Sequence, residues 1–163
     1  MINFLNYHIE KIIQTFISIL RLLFLSRFNV KIKKQYQANE CLILANGPSL
    51  NSLIEQHHDF MQNKALFCVN FFPNTNYYST FKPQFYVISA PELWRNDAMP
   101  IYLKLSKELF ENIAQKTTWE LSLFIPFEAK KYKKWQQPLK NNSFIHIFYY
   151  NPTPIEGYFG FCK

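Results

Sequence analysis

The stretch Leu44-Ala45-Asn46-Gly47-Pro48-Ser49-Leu50 has the residue types and order of an anion-binding turn, and it holds one of only three glycines in 163 residues. A glycine where a strand turns into a helix can take a positive φ and lets a ligand approach the backbone. Pro48 presets φ, and its missing N–H is one that a first helical turn leaves unpaired anyway. Ser49 can cap that turn or offer its hydroxyl to an anion, and Asn46 adds a side-chain amide at the same lip. The N–H groups of the first turn and the helix dipole would complete a phosphate site at the carboxyl end of the strand. No Gly-Lys-Ser/Thr follows, so this is not a P-loop, and it is not a GxGxxG fingerprint. Asn-Gly-Pro-Ser also builds an ordinary turn and cap.

Other constellations point less sharply to chemistry. Pro91-Glu92-Leu93-Trp94-Arg95-Asn96-Asp97 mixes carboxylates, Arg and Trp just after a strand end, where α/β sites gather. The reading favoured for it is a solvated loop with Trp94 packed down. Lys130, Lys131, Lys133 and Lys134, interleaved with Tyr132 and Trp135, read as the wet face of a short basic helix. No nucleic-acid-binding motif accompanies them, and nucleic acid is not an expected partner. His57 and His58 follow a helix and read as solvent-facing, while His146 alternates within a strand. None of the four histidines, His8 included, reads as catalytic. No His/Cys/Asp/Glu group has metal-ligand spacing, so no metal is expected.

The elements that must position the turn follow from periodicity. Cys41–Ala45 is a compact apolar run that reads as a buried parallel strand, followed by a helix from Ser49 to about Asn63. Ala65–Asn70, Gln84–Ser89, Glu120–Ile125 and Ser143–Tyr149 read as four more strands. A helix is predicted over 101–114 and a short basic one over 127–135, with loop composition at Pro73-Asn74-Thr75-Asn76. Strand and helix alternate, which argues for an α/β sheet with parallel strands and helices on its faces.

Ahead of the first strand, Ile12–Leu25 forms an amphipathic helix in which Lys11, Gln14, Thr15, Ser18 and Arg21 make one polar stripe. The run is too short and too charged to span a bilayer, and it lacks a signal-peptide cleavage site. Arg27, Lys31, Lys33 and Lys34 follow it. An in-plane helix on an anionic membrane face would use its apolar face and that cluster. A helix docked on its own domain or on a partner would bury the same face. The expected organisation is an amphipathic, basic segment over 1–38 and a nucleotide-binding domain over 39–163, with the sheet cut short by truncation of a longer chain.

Composition bounds the rest. With 48% apolar residues the chain can build a core, and 18 Lys+Arg against 11 Asp+Glu give a net charge of +7 that favours anionic partners. Cys41, Cys68 and Cys162 lie far apart and read as buried, reduced thiols.

Ala45-Asn46-Gly47-Pro48-Ser49-Leu50 resembles the Gly-Asn-Gly-Pro-Ser-Leu motif of bacterial sialyltransferase-like glycosyltransferases of the lipooligosaccharide type. Motility accessory factors and hydroxymethylpterin diphosphokinase-like proteins share that motif. Phe67-Cys68-Val69-Asn70-Phe71-Phe72 resembles the family's second-strand segment, and Lys82-Pro83-Gln84-Phe85-Tyr86-Val87 its Lys-Pro-x-Tyr-Tyr-Val strand. The similarity covers roughly residues 40 to 95. It implies a Rossmann-like, mostly parallel sheet in which Asn46, Gly47, Pro48 and Ser49 line the phosphate side of a nucleotide. By the same resemblance Asn70 would reach the ribose or base. Ala45 stands where the family has its first glycine, and Ser89-Ala90-Pro91-Glu92 replaces its third-strand asparagine. The family's general base and phosphate-holding tyrosines would lie beyond Lys163.

The implied activity is metal-independent transfer from a nucleotide sugar, such as a CMP-linked one, to a glycan acceptor. No further cofactor is implied, and the expected place is the cytoplasm or the inner face of the cytoplasmic membrane. An ATP-dependent, pterin diphosphokinase-like transferase and a non-catalytic interaction remnant are the alternatives.

Overall fold

The computed structural model describes residues 2–26, 39–45, 47, 49–56, 58–61 and 63–159, and only the backbone of Ile2, Asn3, Ser49, Leu53, Glu55, His58 and Phe159. The chain forms two compact units, Met1–Val30 with Asn151–Lys163, and Lys31–Tyr150.

The second unit is an α/β sheet protein. Strands β1 (Cys41–Leu44), β2 (Ala65–Val69), β3 (Phe85–Val87), β4 (Leu121–Pro126) and β5 (Ile145–Tyr150) lie side by side in sequence order. Every pairing is parallel. The expected Rossmann-like arrangement is therefore present, with all five predicted strands in place. Helices α2 (Ser49–Gln56), α3 (Tyr77–Phe81) and α4 (Pro100–Lys116) make the crossovers with short 3-10 turns. Each crossover steps to the next strand in the same direction, so a single crossover hand puts them on one face of the sheet.

The core lies on that face. Leu44, Cys68, Tyr86, Leu123 and Ile125 from the strands meet Leu50 and Ile54 of α2, Tyr78 of α3, and Leu109, Phe110 and Ile113 of α4. The buried hydroxyls find partners within the cluster or at its edge. Tyr78 Oη and Thr117 Oγ1 are 2.7 Å apart. Tyr86 Oη donates to the Asn70 carbonyl at 2.6 Å. The opposite face carries a row of stacked phenylalanines, with ring centroids 4.4 Å apart for Phe67–Phe85 and 5.4 Å for Phe124–Phe148.

Several expectations shift. β1 is an edge strand rather than a buried one, with Ile43 64% exposed, because among the described residues no strand flanks it on the side away from β2. Cys41, at its start, is exposed, whereas Cys68 is buried as expected; Cys162 lies outside the described residues. The helix expected to reach Asn63 ends at Gln56 and gives way to a 3-10 turn at His58–Met61. The basic stretch after β4 forms two 3-10 turns, Phe127–Lys131 and Lys134–Gln136, instead of one helix. Loop composition before β3 conceals α3, which stops where Lys82 turns left-handed at φ 46.

The first unit holds α1 (Ile2–Leu25) and the chain's C-terminal stretch. The polar stripe of α1 does not simply face solvent. Ser18 is fully buried, accepts from Glu156 N at 2.8 Å and donates to Glu156 O at 3.2 Å. Thr15 Oγ1 accepts from Tyr158 N at 2.8 Å, and the His8 ring hydrogen-bonds the Tyr158 hydroxyl. Gly157 makes this approach possible, since it sits at φ +82 and a Cβ there would fall 2.4 Å from Thr15 Oγ1. Residues 151–159, expected within the nucleotide-binding domain, thus group with α1. The physical reason is that an extended segment needs partners for its backbone N–H and C=O groups, and the stripe supplies them. Among the described residues no helix is long and apolar enough to cross a membrane.

Burial makes the core sensitive to alkali. It raises the Cys68 thiol above its ordinary 9.0 and the Tyr78 and Tyr86 hydroxyls above 10.0. These groups stay protonated in the fold but ionise in the unfolded chain. Their stabilising effect is therefore full below about pH 9 and declines as pH rises further. Urea titrations at pH 8, 10 and 11 should show falling stability, by up to about 1.4 kcal/mol per pH unit for each group above its unfolded value. A flat profile would refute the burial of these groups.

Candidate functional site

The turn after β1 and the end of β2 share one edge of the sheet. Leu44 pairs with Cys68, so Gly47 and Asn70 follow neighbouring parallel strands at their carboxyl ends. Adjacent strands run about 4.7–4.9 Å apart. Of the residues read as phosphate-side ligands, Asn46, Pro48 and the Ser49 side chain lie outside the described residues, while Gly47 and the start of α2 are defined. Gly47 N–H donates to Ala45 O at 2.9 Å, and Leu50 N–H donates to Gly47 O at 3.0 Å. The first bond draws the chain back tightly at the strand end, and the second begins α2. Both N–H groups are thereby engaged within the turn. An anion here would draw on the remaining donors of the first turn and on the dipole of an eight-residue helix.

Asn70 is the better-defined half. It directly follows β2 in the left-handed region, at φ 51, which asparagine tolerates better than most residues. Its side chain is exposed, and its carbonyl is gripped from below by the Tyr86 hydroxyl. Tyr86 is fully buried on β3, one strand over. Tyr150 repeats the device further along the edge, donating from Oη to Ile88 O at 3.1 Å. Tyrosine hydroxyls, that of Tyr86 on a fully buried ring and that of Tyr150 on a half-buried one, thus hold the strand ends after β2 and β3. Tyr86 was absent from the sequence-derived site; the signal that could have found it is a tyrosine in the apolar run QFYVIS, whose hydroxyl must find an acceptor once buried.

The remaining candidates fall elsewhere. His146 is exposed on β5 with Nε2 2.5 Å from Glu120 Oε2, and His57 lies outside the described residues. Arg95 and Asp97 form a two-bond ion pair at 2.9 and 2.6 Å beside a buried Trp94. Among the described residues no three His, Cys, Asp or Glu side chains cluster as metal ligands. Strand order gives a further constraint. Ligands in open α/β sheets favour the point where the order reverses, and the sequence 1-2-3-4-5 contains no reversal. Comparison of the chain with protein-family models, with curated proteins and with solved structures finds no match.

Removing the Tyr86 hydroxyl should loosen the Asn70 turn. Tyr86→Phe should destabilise the protein by about 1–3 kcal/mol, because a near-isosteric ring leaves the carbonyl without its donor. Asn70→Gly should be close to neutral, whereas Asn70→Val should cost about 1–2 kcal/mol for a β-branched residue at positive φ. Denaturant midpoints check all three, and equal stability of the Gly and Val variants would contradict the left-handed turn.

Proposed function

We propose that the 31–150 unit binds a nucleotide sugar at the carboxyl edge of β1 and β2, as part of a sialyltransferase-like glycosyltransferase acting on a surface glycan. The observation that carries the reading is the placement of Gly47 and Asn70 just beyond the carboxyl ends of adjacent paired strands, with Asn70 held in its left-handed turn by Tyr86. The nucleotide phosphate would sit against the start of α2, and the Asn70 amide would meet the ribose or base. In a direct displacement a base takes the acceptor hydroxyl proton while donors at the phosphate stabilise the leaving nucleotide. The residues of this edge supply the second function.

Calorimetric titration distinguishes this from its competitors. CMP should bind more tightly than ATP with Mg²⁺, and Asn70→Ala should weaken CMP by roughly tenfold, equivalent to about 1.4 kcal/mol. Preference for ATP with Mg²⁺ would favour the pterin diphosphokinase-like reading. Absence of binding by either would favour a non-catalytic interaction protein.

A peripheral position on the inner face of the cytoplasmic membrane belongs to the same proposal. It is supported by α1, which exposes Phe4, Ile12, Phe16 and Leu23 while its polar stripe binds Glu156 and Tyr158. Vesicles containing anionic lipid should retain the protein at low salt and release much of it at high salt, as the basic residues are screened. Unchanged retention after Phe16→Glu with Leu23→Glu would remove the membrane role of α1.

A further inference from the structure

The first unit is built inside out. Apart from Leu22, the described side chains of α1 that are buried or half-buried are polar, and they run along one stripe from His8 to Arg21. Ser18 is fully buried, whereas Phe16 is 61% and Phe24 81% exposed. An amphipathic helix in water ordinarily does the reverse, with its apolar face on a core and its polar residues outside. What covers the stripe is the chain's own stretch 153–158. Ser18 Oγ pairs with both backbone groups of Glu156, and Thr15 Oγ1 accepts from Tyr158 N. Arg21 donates to the Glu156 carboxylate at 3.5 Å and Ser26 Oγ to Thr153 Oγ1 at 3.3 Å. The Tyr158 ring stacks on His8 with centroids 6.2 Å apart.

α1 depends on that support. It is rich in isoleucine, contains no alanine, and has neither an acidic residue in its first turn nor a basic one in its last. β-Branched side chains lose rotamer freedom in a helix, and ends without complementary charge gain nothing from the dipole. Isolated helices are marginal in water, and most draw their stability from a packed face. Among the described residues of the first unit, that face is the one under 153–158. The apolar face stays bare, and Arg27, Lys31, Lys33 and Lys34 follow it in the sequence. Apolar surface next to positive charge suits an anionic lipid surface.

We propose that residues 153–158 are a strap that preassembles α1 for that surface. In water the strap holds the helix by its polar stripe, so the bare face enters the lipid already ordered. A helix that must fold as it binds has a lower affinity for the same contacts. The proposal rests on the membrane reading of α1 and adds the element that controls it. Gly157 is the weak point of the strap. A Cβ there would lie 2.5 Å from Thr15 N and 2.7 Å from Lys11 O, backbone atoms that cannot rotate away, and φ is +82.

Amide hydrogen exchange of the full chain, with and without phosphatidylglycerol–phosphatidylcholine vesicles, tests this together with vesicle cosedimentation. Without vesicles, Gly157→Val should speed exchange across residues 2–25 while β2 and β4 stay protected as in the parent. With vesicles, protection of 2–25 should return. The variant should partition roughly tenfold or more weakly, with the parent's salt dependence, because the basic residues are untouched. Thr15→Ala with Ser18→Ala, which removes the strap's partners and leaves Gly157 in place, should act in the same direction. Phe16→Glu with Leu23→Glu should lose vesicle binding yet keep 2–25 protected in water. The strap's role is overturned if both strap variants protect 2–25 in water as the parent does, or if they bind vesicles equally well. A parent that does not bind vesicles overturns the membrane reading itself, and a dimer in water that vesicles do not take up would assign the bare face to a second copy.

Discussion

Parallel pairing between strands taken strictly in sequence order governs the rest of this structure. Each parallel step needs a crossover, and each crossover here moves to the next neighbour in the same direction. A single hand then gathers α2, α3 and α4 on one face. That arrangement concentrates the buried cluster on one side of the sheet and leaves the stacked phenylalanines on the other. It also brings all five carboxyl ends to one edge, so the turns after β1, β2, β3 and β4 lie along one side of the sheet although they are spread from Leu44 to Pro126 in the chain.

Within that frame a few buried hydroxyls tie the core to its rim. Tyr86 contributes a ring to the cluster and a donor to the Asn70 turn, so packing and turn geometry are set by one side chain. Its burial explains both its raised pKa and the expected weakness of the fold in alkali. Asn142 works similarly at the opposite end of the sheet, where its amide donates to Ala114 O and Thr117 O at 2.9 and 2.8 Å and closes the C-terminus of α4. In the first unit Thr15 and Ser18 play the corresponding part for residues 156–158. Side-chain hydroxyls and amides thus hold turns and chain ends in both units.

The runs 91–97 and 130–135 show how weak local signals are brought together by the fold. A lysine run is usually a wet face and a Trp-Arg-Asn-Asp loop usually a cap on the core. Both descriptions remain true here, because Lys134 is exposed and Trp94 is buried. Both runs line one cavity against α4, whose aromatic members Trp94, Phe110 and Trp135 are nonetheless buried in the core.

What the sequence by itself determined was the class of fold and the place of the turn. Short apolar runs of strand length, separated by helical periodicity, specify five strands and crossovers without reference to tertiary contacts, and Asn-Gly-Pro-Ser after the first run marks a strand-to-helix turn. Where the periodicity was weak, as at Tyr77–Phe81 and at 127–136, the outcome was set by packing instead. Strand order, the edge position of β1, the grip of Tyr86 on Asn70 and the binding of Glu156 and Tyr158 by the α1 stripe were decided by tertiary structure alone. Each of these joins groups that no local pattern relates. A polar stripe on a helix reads the same whether water or a distant backbone segment takes its hydrogen bonds, and only the folded chain supplies that segment.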